Sequence, residues 1–179
     1  IVDPRALVNF IHENEITRLQ TTTQLIEAVL DHPGLDLPLK LGKIRYWYQC
    51  GEPVPARVVD KWINVLGKRH RLINCYGSWE ALDHSVAFLD TPVQSGSKFA
   101  PVGLPLPSVN IYVVDEEMQL LPSGCPGEML IEAPGLAIEY LHDPEKTAQK
   151  FFHIDMEGRR VRVYRTGDRG RVLPTGQLE

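Results

Sequence analysis

The first half of the chain alternates between short apolar runs and helical patterns, and this alternation restricts the fold more than any other feature. Strand-like runs and helical patterns follow one another in the order 16–20, 22–30, 44–49, 55–66 and 71–73. Short links between such elements are typical of parallel strands joined by helices. An earlier helix should begin after the Asp3 cap and end near Asn14. The sequence therefore predicts an α/β fold built on a parallel sheet.

A polar segment follows the last of these strands. Residues 74–80 read Asn-Cys-Tyr-Gly-Ser-Trp-Glu, and Gly51 follows the preceding strand. The carboxyl ends of parallel strands meet at one edge of a sheet, where α/β folds bind ligands. An aromatic ring, a glycine, a hydroxyl and a carboxylate at this edge suit a nucleotide with Mg²⁺. A tight turn whose Trp79 plugs the core explains the same residues, and the segment alone leaves both interpretations open.

The second half has a different character. Residues 91–108 contain four Pro, three Ser and two Gly, which is typical of a boundary or a crossing loop. Beyond this loop, strands are predicted at 109–114, 127–132, 161–166 and 169–173, with a helix at 144–152. We therefore expect part of a doubly wound parallel-sheet subdomain at 1–90, the crossing loop at 91–108, and a small antiparallel β unit at 109–179.

Composition excludes several classes of partner. The net charge is −4 and Lys and Arg form no long block, which argues against binding nucleic acid or an anionic membrane. No apolar run has the length of a membrane span.

Three cysteines without a C-x-x-C pair argue against a disulfide framework and favour a reducing, cytoplasmic location. Because the chain begins with Ile1 rather than Met, we expect a piece of a longer protein.

Several segments share their order and spacing with one enzyme superfamily. Residues 74–80 match N-x-Y-G-x-T-E, and residues 127–131 match G-E-L-x-I. Residues 144–151, Pro-Glu-Lys-Thr-Ala-Gln-Lys-Phe, match P-E-x-T-x-x-K-F, and residues 164–168, Tyr-Arg-Thr-Gly-Asp, match Y-[RK]-T-G-D. Together they resemble the adenylate-forming superfamily, and most closely the adenylation domains of nonribosomal peptide synthetases. The resemblance covers essentially the whole chain.

The resemblance implies a role for individual residues. Tyr76 would stack on adenine, Asp168 would accept hydrogen bonds from both ribose hydroxyls, and Glu80 would hold Mg²⁺ against the phosphates. The implied nucleotide-binding residues are Gly51, Glu52, Tyr76, Gly77, Ser78 and Asp168, with Gly51 and Glu52 contributing their backbone. The implied acyl pocket comprises Gln20, Tyr48, Cys50, Cys75, Asp83 and His84. Asp83 would bind a substrate ammonium group; equally, it could face solvent or pair with His84.

The reaction implied uses ATP and Mg²⁺ to convert a carboxylic acid, preferably an amino acid, to an acyl adenylate. The acyl group then passes to the phosphopantetheine thiol of a carrier domain. Two alternatives are an acyl-CoA synthetase and a catalytically silent nucleotide-binding or scaffolding relative. The silent relative is suggested by Trp79, which stands where the family has a phosphate-contacting Thr. A second departure, Ile138-Glu139 in place of the usual Arg-Gly, is a surface variation near a turn.

The family's phosphate loop and its C-terminal lysine match no residue of this chain. By the resemblance, the loop would lie before Ile1 and the lysine after Glu179. We therefore assign no catalytic residue within the chain and expect the chain alone to be inactive.

Overall fold

The computed structural model describes residues 3–67, 69–93, 96–156 and 158–179. The chain divides into two compact units, one formed by Ile1–Cys75 with Ala87–Pro101 and the other by Tyr76–Val86 with Val102–Glu179. Residues 76–86 thus join the second unit, within the segment 1–90 that the sequence analysis treats as one domain. The predicted limits 1–90, 91–108 and 109–179 stay predictions, and residues 1, 2, 68, 94, 95 and 157 of these segments lie outside the described residues.

The first unit contains the predicted parallel strands and helices. In chain order its elements are α1 Pro4–Glu13, β1 Arg18–Thr21, α2 Thr23–Asp31, α3 Leu37–Lys40, β2 Tyr46–Cys50, α4 Ala56–Leu66 and β3 Arg71–Ser78, which enters the second unit at Tyr76. Strand β1 pairs in parallel with β2, and β2 pairs in parallel with β3. The predicted α/β class is confirmed.

Local chemistry explains where the helices begin and end. The Asp3 carboxylate accepts the Arg5 amide at 2.9 Å, and Pro4 occupies the first helical position, so α1 begins as predicted. Helix α4 begins after the Pro55 cap and ends at Leu66 before the Gly67 cap, close to the predicted range 55–66. Helix α3 was not predicted. Pro38 lies in its first turn, where proline is tolerated, and the Asp36 carboxylate caps the Leu39 amide.

Two tryptophans form the centre of the first core. Trp47 of β2 and Trp62 of α4 are fully buried, and their rings pack edge to face with centroids 5.4 Å apart. Each indole N–H is satisfied: Trp47 donates to Thr21 Oγ1 at 2.7 Å and Trp62 donates to the His70 carbonyl at 2.8 Å. This core fixes one face of β2, so the alternate residues of the strand point to the other face.

The second unit holds the remaining strands, including the antiparallel unit predicted from the sequence. Its elements are β4 Leu82–Phe88 (to Val86 in this unit), β5 Leu104–Pro105, β6 Asn110–Val114, β7 Gly127–Glu132, α5 Pro144–Lys150, β8 Phe151–Met156 and β9 Arg159–Gly170. Strand β4 pairs antiparallel with β5. The four-stranded sheet has the order β6-β7-β9-β8, and every pairing in it is antiparallel.

The structure overturns one of the two interpretations of residues 74–80 and corrects two predicted elements. Residues 76–78 are not a turn, because β3 continues through Ser78 and the chain reverses at 79–81 into β4, a strand that was not predicted. Trp79 does not plug the core, since its side chain is 95% exposed. Residues 161–173 do not form two strands around a turn; β9 is continuous through Gly170 and carries a bulge opposite Met129. The predicted helix 144–152 is also shorter, because Phe151 and Phe152 belong to β8.

Candidate functional site

Four of the predicted pocket residues share one face of the parallel sheet in the first unit. Gln20 pairs with Tyr48 across β1 and β2, and Cys50 pairs with Cys75 across β2 and β3. Tyr48 and Cys50 are two positions apart, so both point away from the buried Trp47. Gln20 is exposed and the other three are half-buried. None of the three cysteines forms a disulfide. This face presents an amide, a phenol and two sulfur-bearing side chains.

The two backbone positions predicted to line the nucleotide follow β2. Gly51 is exposed, and Glu52 is half-buried within the same bend. The carbonyl oxygen of Glu52 accepts a hydrogen bond from Gln49 Nε2 at 2.5 Å. Gln49 is fully buried, so it ties this bend to the strand before it. The backbone after β2 is therefore held in one conformation.

In the second unit, the predicted adenine and ribose residues meet directly. The Tyr76 hydroxyl donates to Asp168 Oδ2 at 2.7 Å, although the two residues are 92 positions apart. Burial and this hydrogen bond raise the pKa of Tyr76 well above its usual range, so the phenol remains a donor at neutral pH. The Tyr76 ring also packs edge to face on His84, with centroids 5.2 Å apart.

A bulge in β9 presents Asp168. The Thr166 hydroxyl donates to the Met129 carbonyl at 2.8 Å and accepts the Asp168 amide at 2.9 Å. Gly167 between them has φ of 85°, a conformation that favours glycine. Lys150 Nζ lies 3.2 Å from the Arg165 carbonyl and donates to it. These contacts fix the backbone of the bulge and so the position of the Asp168 carboxylate.

Glu80, the predicted magnesium ligand, is held at the turn between β3 and β4. Its Oε1 accepts the Tyr140 hydroxyl at 2.6 Å, and its carbonyl oxygen accepts the Ala137 amide at 2.7 Å. The Tyr140 hydrogen bond lowers the pKa of the Glu80 carboxyl, which is therefore ionised at neutral pH. Burial and the contact with Glu80 raise the pKa of Tyr140, so its hydroxyl stays protonated.

The remaining predicted residues lie on the hairpin that β3 and β4 form. His84 is fully buried, its Nε2 lies 3.3 Å from Ser78 Oγ, and burial lowers its pKa, which keeps the imidazole neutral at pH 7. Its Nδ1 is buried without a hydrogen-bond partner among the described residues. Asp83 is exposed and, as the strand neighbour of His84, points to the opposite face. A Cβ on Gly77 would lie 2.8 Å from the Leu82 carbonyl oxygen and 2.9 Å from Asp83 Oδ1, so this close approach of the backbone requires glycine.

A magnesium ion fits this arrangement as a companion of phosphate. Among the residues that the structure describes, no group of three His, Cys, Asp or Glu side chains could hold a metal ion by themselves. Mg²⁺ is commonly bound through one or two carboxylates, with water and substrate phosphates completing its shell. Glu80, ionised and fixed by Tyr140, is a carboxylate of this kind, and its role as a magnesium ligand stays a prediction. Within the described part of the chain, no helix is long and apolar enough to cross a membrane.

Sequence reasoning missed the residues that hold the functional side chains in place. Thr166 and Lys150 belong to segments that match family motifs, and Tyr140 directly follows the Ile138-Glu139 departure, yet their contacts join residues 15 to 60 positions apart. Hydrogen bonds between residues so far apart in the chain leave no periodic pattern in the sequence. The sequence therefore does not indicate which partner each of these side chains contacts. The motif matches were the signal that could have drawn attention to these segments, but a motif does not show which atoms are in contact.

Comparisons with known proteins agree on one family. The family of AMP-binding enzymes matches residues 2–141. Tyrocidine synthase 3 from Brevibacillus parabrevis is 32% identical over 179 aligned residues, which cover 99% of this chain and 3% of that protein. The Klebsiella oxytoca NpsA N-terminal subdomain, solved with 3-hydroxybenzoyl-AMSN, superposes with a TM-score of 0.85 at 25% identity over 99% of this chain and 44% of its own. PA1221, described as an NRPS protein containing adenylation and PCP domains, gives a TM-score of 0.86 at 26% identity, over all of this chain and 35% of its own.

Proposed function

Because this chain belongs to the family of AMP-binding enzymes, we propose that its parent protein activates a carboxylic acid with ATP as an adenylation domain of a nonribosomal peptide synthetase. The chain spans a small part of its curated relatives, so the proposal concerns the parent protein rather than the chain alone. The preferred substrate is an amino acid, and the acceptor is a phosphopantetheine thiol on a carrier domain. The absence of a disulfide at all three cysteines is consistent with a cytoplasmic location.

The proposed chemistry has two steps. A carboxylate oxygen of the substrate attacks the α-phosphorus of ATP, the bond to the bridging oxygen breaks, and pyrophosphate leaves. A thiolate then attacks the acyl carbon, AMP leaves and a thioester forms. The protein positions the reactants and neutralises charge, which are the main contributions available in phosphoryl and adenylyl transfer.

The observation that carries the proposal is the meeting of Tyr76 and Asp168 within one unit, 2.7 Å apart. A nucleoside needs a planar surface for its base and a carboxylate for its ribose hydroxyls. Asp168 Oδ2 already accepts one hydrogen bond, but each carboxylate oxygen has two lone pairs and can accept more. In this proposal Tyr76 stacks on adenine, Asp168 binds the ribose, and Gly77 and Ser78 lie beside the phosphates.

The other predicted residues have roles that follow from their chemistry. Glu80 supplies the carboxylate for Mg²⁺, and the backbone of Gly51 and Glu52 lines the adenine and ribose. The acyl-pocket residues proposed in the first unit are Gln20, Tyr48, Cys50 and Cys75. Those proposed in the second unit are Asp83, as the anion for a substrate ammonium, and His84, on the opposite face of the same strand. An acyl-CoA synthetase remains the closest alternative, and it would use free coenzyme A in place of a carrier-bound thiol.

A silent relative is the second candidate, because Trp79 replaces the small hydroxyl residue of the family motif. The 95% exposure of this indole removes it from the core but does not supply the missing hydroxyl. The neighbouring Ser78 hydroxyl, 3.3 Å from His84 Nε2, is the nearest replacement along the chain. The two candidates differ in whether the parent domain forms any adenylate.

The test is ATP–pyrophosphate exchange by the intact parent domain, combined with calorimetric measurement of ATP binding. Asp168→Ala should weaken ATP binding by about 10- to 100-fold, because a hydrogen bond to a charged group contributes on the order of 1.5–3 kcal/mol. Asp155→Ala, which removes an exposed carboxylate from β8 in the same unit, is the matched control and should leave binding unchanged. Unchanged affinity in Asp168→Ala would overturn the ribose assignment, and no exchange by the wild-type domain would favour the silent relative.

A further inference from the structure

Glu80 is held from two sides by one loop, residues 133–141. The Ala137 amide donates to the Glu80 carbonyl at 2.7 Å, which fixes the backbone of the turn. The Tyr140 hydroxyl donates to Glu80 Oε1 at 2.6 Å, which fixes the side chain. A half-buried glutamate without such a partner would populate several side-chain rotamers. The loop therefore determines where the carboxylate points.

The loop is itself anchored to β9. Arg162 donates through one terminal nitrogen to the Ala137 carbonyl at 2.9 Å and to the Ile138 carbonyl at 2.7 Å. The same guanidinium lies over the Phe151 ring, 4.9 Å from its centroid. The two loop carbonyls and the Phe151 ring thus hold the Arg162 side chain in place. Through this side chain the loop is connected to the antiparallel sheet.

The Tyr140 ring is fixed as firmly as its hydroxyl. The ring packs against Phe151 with centroids 5.7 Å apart, and Lys146 Nζ lies 4.3 Å from the ring centroid. The Tyr140 amide donates to Thr147 Oγ1 at 2.9 Å. Lys146 and Thr147 both belong to α5, so the helix, the loop and the sheet hold this ring in place. Its hydroxyl is presented to Glu80 from a preset position.

We propose that Tyr140 is a positioning residue, which orients the Glu80 carboxylate toward the magnesium ion that accompanies ATP. This inference rests on the proposed function, in which Glu80 holds that ion. Tyr140 touches neither substrate nor metal in this role; it acts through Glu80. Arg162 supports Tyr140 by fixing the loop at Ala137 and Ile138. Mg²⁺ demands near-ideal octahedral geometry, so it discriminates sharply between an oriented carboxylate and a rotating one.

The chain offers a matched control for the loss of a tyrosine hydroxyl. In the same unit, Tyr112 donates to Glu132 Oε2 at 2.5 Å, with Arg159 completing the contact. Tyr140→Phe and Tyr112→Phe each remove one phenol that donates to one glutamate. Only the first of these glutamates is proposed to hold the metal. The two variants therefore separate a general effect on stability from an effect on the site.

The experiment measures binding of a non-hydrolysable ATP analogue to the intact parent domain by calorimetry, with and without Mg²⁺. For Tyr140→Phe we expect unchanged affinity without Mg²⁺ and a loss of about tenfold in the Mg²⁺-dependent gain, the scale of one hydrogen bond to a charged group. In turnover, the Mg²⁺ concentration for half-maximal rate should rise by a similar factor, and saturating Mg²⁺ should restore most of kcat. Arg162→Gln should give a smaller shift in the same direction, and Tyr112→Phe none.

The outcomes distinguish failure of the inference from failure of the proposed function. A Mg²⁺-dependent gain in Tyr140→Phe equal to that of the wild type would overturn the positioning role. If Glu80→Gln also leaves that gain unchanged, the metal assignment of Glu80 itself fails. A lower folded fraction would reduce the apparent affinities with and without Mg²⁺ by the same factor, so their ratio stays the same. This ratio therefore tests the positioning role of Tyr140 even if Tyr140→Phe melts at a lower temperature.

Discussion

At the residue scale, the candidate site depends on pairs rather than on single side chains. Asp168 accepts the Tyr76 hydroxyl and Glu80 accepts the Tyr140 hydroxyl, so a neutral phenol accompanies each carboxylate. A phenol with a raised pKa donates a hydrogen bond across the neutral pH range without cancelling the charge of its partner. Each carboxylate is thus held in position by an uncharged donor before a ligand arrives.

Trp79 provides the first prediction at this scale. Its indole is 95% exposed and takes no part in the packing of the described core. Trp79→Thr should therefore alter the melting temperature of the parent domain by no more than a degree or two. We expect wild-type exchange activity to be present and to change by less than about threefold, because Ser78 already offers a hydroxyl next to it. ATP–pyrophosphate exchange measures this rate. An inactive wild-type domain that Trp79→Thr activates would show that the indole blocks the phosphates.

Asp83 provides the second prediction. Its exposed carboxylate lies over Gly77, and a charged substrate amine would gain a hydrogen bond and an ion pair there. Asp83→Asn keeps the shape and removes the charge. It should reduce the preference for an amino acid over its desamino analogue by about tenfold in kcat/KM of exchange. Asp155→Asn is the control, and an unaltered preference in Asp83→Asn would exclude this residue as the amine-binding group.

At the element scale, the β9 bulge shows what sequence patterns can and cannot provide. The Tyr-Arg-Thr-Gly-Asp run predicted a break in the strand, and Gly167 does have a positive φ, but pairing with β7 continues on both sides of it. The pattern of a glycine followed by an aspartate is the same for a turn and for a bulge. The deciding interaction is the Thr166 hydroxyl between Met129 and Asp168, a contact across strands that no local pattern encodes.

Gly167→Ala tests the bulge. At φ of 85° an alanine is strained by roughly 1–2 kcal/mol, and its Cβ would meet only Lys150 Nζ at 3.4 Å, an ordinary van der Waals contact. Denaturant unfolding of the parent domain should show that loss of stability, and calorimetry should show weaker ATP binding because Asp168 moves. Gly124→Ala shares the positive φ and meets open space, so it should lose similar stability and keep its affinity. Equal affinities in the two variants would mean that the bulge does not position Asp168.

At the scale of the whole molecule, the fold class was more predictable than the contacts that hold the site. The apolar alternation that led to β1, β2 and α4 arises because each element buries one face, which leaves a periodic trace in the sequence. The hairpin through β4 left no such trace: Asp83 and Phe88 are exposed while His84 and Ser85 are buried, so its pattern is not that of an apolar strand. Buried polar residues such as these obscure the signal that predicts strands.

The last prediction concerns how the stability of the domain depends on pH. Glu132 accepts hydrogen bonds from Arg159, Tyr112 and Asn110, and the Arg159 guanidinium does most to lower the pKa of this carboxyl from 4.5 to about 2. The unfolded chain therefore binds a proton that the folded chain does not between about pH 4.5 and pH 2. The stabilisation from this group should be complete above about pH 5 and should disappear as the pH falls to about 2.

Urea unfolding of the parent domain from pH 7 to pH 2 measures this effect as the difference between wild type and Glu132→Gln. The variant should be less stable than the wild type at pH 7, because Arg159 and Tyr112 lose a charged acceptor. The two stability curves should then converge as the pH falls through the folded pKa, where the wild-type carboxyl is also neutral. The exposed Glu116→Gln is the control and should parallel the wild type throughout. A constant gap between Glu132→Gln and wild type across this pH range would show that the contact stabilises the domain through its shape rather than through the charge of Glu132.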